Sequence, residues 1–186
     1  MKGSIITAEE IKARWAYAEV TSERFGKAYA QHLPPQLFHD AHMGKPFAAV
    51  AQTDWKLLID VLENYARNKG FIDNIDDFGA PEYVLEEWDL SALLNCLTIP
   101  AFGEVLYPIF LARPPGTSNG VVDAADPRYK SHSIPFDPNY APTSPLIAIN
   151  FGGRYMLIEG YLRSILWLRN PVSPLQVWIP SPTVGP

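Results

Sequence analysis

The chain has 186 residues, 47% of them hydrophobic, and a formal net charge of −5. That length and apolar content suit one folded domain with a real core, and they exclude a chain disordered throughout. The acidic balance excludes a protein that holds nucleic acid through a broad basic face, because such binding draws its free energy from lysine and arginine displacing counterions.

No apolar run approaches the roughly 18 residues that would suggest a membrane span, and the amino terminus turns charged at Glu9 before a secretory signal could develop. The expectation is a soluble, cytoplasmic protein with no membrane partner. In chain order, Thr7-Ala8-Glu9-Glu10 has capping-box spacing, and Ile11, Trp15, Ala18, Phe25 and Tyr29 follow at roughly helical intervals until Pro34-Pro35. This predicts a long amphipathic helix, bent near Gly26. His32, His39 and His42 come next; imidazoles bind transition metals, but the spacing matches no common zinc pattern and no cysteine joins them, so a turn is preferred to a metal site.

A second helix is predicted from Thr53 as cap, with Trp55, Leu58, Ile59, Leu62, Tyr65 and Ala66 on one stripe and Gly70 past its end. A third is predicted from about Pro81 to Leu97, with proline in the first turn, acidic residues early, and Leu85, Trp88, Leu93 and Leu97 available for burial. Residues 1–100 therefore read as a helical region. Trp15, Trp55 and Trp88 either bury against one another or dock a protein partner, and self-burial is preferred. The only cysteine, Cys96, sits in the apolar setting Leu93-Leu94-Asn95-Cys96-Leu97 and reads as a small buried hydrophobe rather than a nucleophile.

Composition shifts after Pro100. Glu104 to Ala112 reads as a strand at a sheet edge, or one interrupted at Pro108. Residues 113–145 are rich in proline, glycine, serine, asparagine and aspartate, and their apolar members, Val121, Tyr129, Ile134 and Phe136 among them, favour a wrapping loop over a free linker. If that loop crosses the corner described next, Asp126 or His132 is placed to supply an acid-base group there. The plainer reading, a solvated loop turned by Asp126-Pro127 and Asp137-Pro138, is preferred.

The carboxy-terminal pattern is the most informative. Pro145 to Ile149 reads as a strand, Gly152-Gly153 as a hairpin turn, and Arg154 to Ile158 as a second strand. Glu159-Gly160-Tyr161-Leu162-Arg163 then turns the chain into a short helix, and Leu175 to Ile179 closes the sheet. A glycine corner opening a helix, with an arginine in the first turn, is suited to an anion: first-turn amides lack intrahelical partners, the helix dipole favours negative charge, and a guanidinium grips two phosphate oxygens. Gly160 serves either phosphate approach or a tight turn. Arg163 either binds phosphate or pairs with Glu159, and Glu159 either organises a metal or hydroxyl or caps the helix. Ser164 either donates to phosphate or satisfies local backbone, while Tyr161 either stacks on a base or seals the helix.

These residues resemble the signature of the ParB/sulfiredoxin-like superfamily: a strand, then an acidic or small residue, glycine, two variable positions and arginine at the start of a helix. The resemblance covers about the final fifth of the chain. It implies an α+β fold, with residues 101–186 forming a small mixed sheet around the strand-glycine-helix corner, and the chain's length suggests that this and the helical region pack as one compact unit. It also implies nucleotide handling at this corner, with ATP or CTP and Mg²⁺ as the ligands and a phosphoryl-transfer or nuclease-like activity; the candidate ligand-binding residues are Gly160, Tyr161, Arg163 and Ser164, and the candidate catalytic groups Glu159 and, if the loop crosses the corner, His132. Two departures weigh against chemistry. Cys96 is far from the corner in sequence, which argues against sulfinic acid reduction, and Tyr161 stands where many relatives carry a histidine. The alternative is a non-catalytic interaction module, or a regulator associated with nucleic acid, that keeps the fold.

Overall fold

The computed structural model describes residues 5–66, 69–98, 141–142, 144–169, 171 and 173–182. The expected strand from Glu104 to Ala112, nearly all of the 113–145 loop, Asp126 and His132 lie outside the described residues. The fold is mixed α+β, and the chain divides into two compact units, Ile5–Tyr83 and Val84–Pro182.

The first unit is mainly helical. Strand β1 (Ile5–Thr7) leads into α1 (Ala8–Glu19), whose first turn is capped as the sequence predicts: the Thr7 hydroxyl accepts from the Glu10 amide at 3.1 Å. Ile11, Ala13, Trp15 and Ala16 form its buried stripe. The helix does not continue to Pro34. It ends at Glu19, and Ser22 caps a new turn by accepting from the Phe25 amide before α2 (Gly26–His32) begins. A serine that competes for backbone donors ends one helix and starts another, a signal stronger than the apolar spacing that crosses it. Helix α3 (Pro35–His42) follows with Pro35 at its first position, so the histidine region is helical rather than loop-like.

Helix α4 (Gln52–Val61) starts one residue before Thr53, with Ala51 as its uncapped N-cap, and widens into a π-turn over Leu62–Ala66. Gly70 lies inside α5 (Lys69–Phe78) and does not end the second helix. Lys12, on α1, ties these elements together: its ammonium lies 2.6 Å from Asp76 on α5 and 4.0 Å from Glu63 in the π-turn.

The predicted third helix, Pro81 to Leu97, is replaced by strand β2 (Glu82–Trp88) and helix α6 (Leu90–Asn95). Two causes act. Tyr83 and Val84 favour extended backbone, and the Asp89 carboxylate accepts from the Ala92 amide at 2.8 Å, making it an N-cap, a position with extended φ and ψ that a continuous helix cannot contain.

The second unit carries strands β3 (Leu97–Thr98), β4 (Leu146–Phe151), β5 (Arg154–Glu159) and β6 (Leu175–Pro180), with helix α7 (Tyr161–Arg169) between the last two. With β2 they form a mixed sheet in the order β2-β6-β4-β5-β3. The β4–β5 pair is antiparallel, whereas β4–β6 and β3–β5 are parallel. The turn between β4 and β5 uses Gly152 and Gly153 at φ of 58° and 78°, the left-handed pair that a two-residue hairpin requires. Leu146, Ala148, Leu157, Leu175, Val177 and Ile179 from three strands pack with Trp88, Leu93, Cys96 and Trp167 as one buried cluster. That cluster is the floor on which the glycine corner stands.

Candidate functional site

The corner is built by β5, Gly160 and α7. Near its end β5 carries an irregularity: Ile147 pairs with Glu159 and Ala148 with Leu157, so Ile158 is an extra residue in the ladder. Such a bulge re-aims the residue that follows, and Glu159, at the corner, is buried at 8% exposure. Gly160 adopts φ of 100°, and a Cβ there would lie 2.5 Å from Leu146 Cγ. Glycine is therefore demanded twice, by its backbone and by the leucine against it. The Ser164 amide donates to the Gly160 carbonyl at 2.8 Å, the first bond of α7. The amides of Leu162 and Arg163 precede that bond and have no carbonyl within the helix to reach.

Arg163 projects from the first turn with its side chain 24% exposed. Its Nη2 donates to the Pro145 carbonyl at 3.4 Å and faces Glu159 Oε1 at 3.5 Å. Both contacts are longer than an ordinary N–H···O bond, and the buried Nε has no hydrogen-bond partner among the described residues. The other two predicted ligands turn inward. Ser164 is fully buried, its hydroxyl donating to the Tyr161 carbonyl at 2.7 Å, and the Tyr161 hydroxyl donates to the Leu157 carbonyl. The structure thus brings Glu159, Gly160, Tyr161, Arg163 and Ser164 to one turn but leaves Arg163 as the side chain with donor capacity to spare. Glu159 is the one carboxylate at this turn and faces the Arg163 guanidinium, and among the described residues no group of three or more metal-ligating side chains is arranged for an ion.

The remaining candidates are dispersed. His32 stacks on Tyr65 with centroids 3.7 Å apart, the Nδ1 of His42 lies 3.0 Å from the Phe38 carbonyl, and His39 is exposed on α3. Cys96 is buried in the sheet cluster; loss of hydration there pushes its thiol up to about 12, despite opposing contributions from Arg154 and the Leu157 backbone. It is protonated and unreactive at neutral pH. Trp15 and Trp88 are buried and Trp55 half-buried. No helix among the described residues is long and apolar enough to cross a membrane.

The sequence reading missed a cleft of about 600 Å³ beside β2, lined by Glu86, Glu87, Trp88, Asp89, Arg154 and Tyr155 among others. Its only local signal was the doublet Glu86-Glu87 next to Trp88, which a helical assignment spreads around a helix instead of gathering at a strand end. No family profile, curated protein or solved structure matches the chain.

Proposed function

We propose that the Gly160 corner binds the phosphate of a nucleotide, such as ATP or CTP, or of another phosphorylated ligand, in the manner that the ParB/sulfiredoxin-like resemblance implies. One observation carries the reading: a guanidinium stands at the mouth of a left-handed glycine turn, holding two over-long contacts and one unpartnered buried nitrogen. A phosphate oxygen would replace Glu159 and Pro145 at Nη2, and a bidentate pair would form if the side chain turned to bring the buried Nε outward. The amides of Leu162 and Arg163 would add dipolar attraction. The Tyr161 and Ser164 hydroxyls are committed to backbone carbonyls, so the reading is one of binding at the corner, with Glu159 and Arg163 as its charged groups.

The test is calorimetric titration of ATP, ADP and CTP, with and without Mg²⁺, against the native protein and Arg163→Ala. The expected result is affinity in the native protein that Arg163→Ala weakens by tenfold or more, since removing a charge-assisted bidentate pair costs about 1.5–3 kcal/mol.

A second reading, the non-catalytic interaction module, is favoured by the inward turn of Tyr161 and Ser164 and the pairing of Glu159 with Arg163, which close the corner from within. Absence of binding by the native protein, together with a solution mass above that of one chain, would decide for it.

A further inference from the structure

The Gly160 corner, read above as a phosphate site, already contains a negative charge. Glu159 ends β5 immediately after Ile158, the extra residue in the β4–β5 ladder, and it is buried. Its Oε1 lies 3.5 Å from Nη2 of Arg163, four residues further along. The same Nη2 donates to the Pro145 carbonyl at 3.4 Å, so two acceptors of the protein's own share one guanidinium nitrogen. The pair is shielded, with the side chains of Glu159 and Arg163 11% and 24% exposed. Charges so placed interact more strongly than surface pairs, because little water screens them. Neither contact is short, so charge holds Arg163 more than hydrogen-bond geometry does. The arrangement also fixes how the guanidinium lies: Nη2 faces the carboxylate, and Nε is buried without a partner among the described residues.

An anion entering the corner meets this carboxylate in two ways. It competes for Nη2, and it approaches a like charge that water screens poorly. The helix dipole does not decide between them, since the field that favours an incoming anion also favours the carboxylate already beside the first turn. Resting on the phosphate reading of the corner, we infer that Glu159 is an autoinhibitory counter-charge: it occupies the guanidinium in the free protein, and a phosphate binds by displacing it. Displacement releases Arg163 to turn Nε outward and grip two oxygens, so the carboxylate sets the affinity threshold of the site. A purely structural carboxylate behaves in the opposite way. If Glu159 only positioned Arg163 or capped α7, its removal would weaken binding or leave it unchanged, whereas removal of a competing charge tightens binding.

The experiment is calorimetric titration of ATP against the native protein, Glu159→Gln, Glu159→Ala and the double variant E159Q/R163A. Glutamine keeps the shape of the side chain and removes its charge. Circular dichroism establishes that each protein is folded, and Glu159→Ala carries the test if the glutamine variant does not fold. Binding about tenfold tighter than native is expected in Glu159→Gln, a change in the same direction in Glu159→Ala, and loss of the tightened binding in E159Q/R163A. Equal or weaker binding in the folded Glu159 variants overturns the inference, as does a gain that persists in E159Q/R163A; if the native protein still binds through Arg163, the phosphate reading stands without it. Binding by Glu159→Gln where the native protein shows none supports the counter-charge. Binding by no variant overturns both.

Discussion

A methyl group at position 160 would have to enter backbone at φ of 100° and press on Leu146 Cγ at 2.5 Å. The first demand costs about 1–3 kcal/mol for a residue with a Cβ, and the second adds the penalty of overpacking a buried leucine. Gly160→Ala is therefore expected to lower unfolding free energy by about 3 kcal/mol, read by urea denaturation. At this scale the sequence was informative about identity and less so about state. Glu159, Gly160 and Arg163 stand together as their spacing implies, because a strand, a glycine and a helix start in direct succession leave little freedom in placement. What spacing could not convey is where hydroxyls point. Ser164 and Tyr161 have carbonyls within reach in the turn of helix and strand that they themselves complete, and these local bonds form whether or not a ligand is present.

Among the elements, the hairpin of β4 and β5 was legible because apolar residues flank two adjacent glycines, a pair that weakens a helix and favours a two-residue turn. Strand β2 was not. Its apolar residues fall at intervals that a helix also satisfies, and the deciding influence is its place beside β6, which lies far off in sequence. The residue that could have corrected the reading is Asp89. As an N-cap it marks a helix beginning at Leu90, so what precedes it must be something else. Asp89→Ala is expected to destabilise the protein by about 1 kcal/mol, measured by thermal or urea unfolding, and Asp89→Asn by much less because asparagine caps comparably. The contrast between the two variants distinguishes lost capping from lost charge.

For the molecule as a whole, each unit holds a group whose ionisation folding strongly opposes. In the second, burial raises the Cys96 thiol from 9.0 to about 12; in the first, burial and Asp76 raise the Tyr83 hydroxyl from 10.0 to about 12 despite an opposing contribution from the Ala80 backbone. Folded-state pKa values above the unfolded ones mean that the native chain keeps protons the unfolded chain has released. Stability is therefore full below pH 9, begins to fall as Cys96 ionises in the unfolded chain, and falls more steeply above pH 10 when Tyr83 joins, at up to about 1.4 kcal/mol per pH unit for each group. Urea midpoints measured from pH 8 to 11 should trace that decline, and Cys96→Ala should delay its onset to about pH 10.

The sheet's mixture of strand directions also sets an order of assembly. The β4–β5 pairing closes over two glycines, whereas β6 must return to β4 across α7, and β3 must find β5 from Leu97 to Met156, the longest closure of the three. Because the entropy of closing a loop grows with the chain enclosed, the hairpin is the natural nucleus and β6 the next addition, while β3 and, across a still longer span, β2 join later. The Gly160 corner, lying between the nucleus and its first addition, takes shape early and is among the last parts of the unit to be lost.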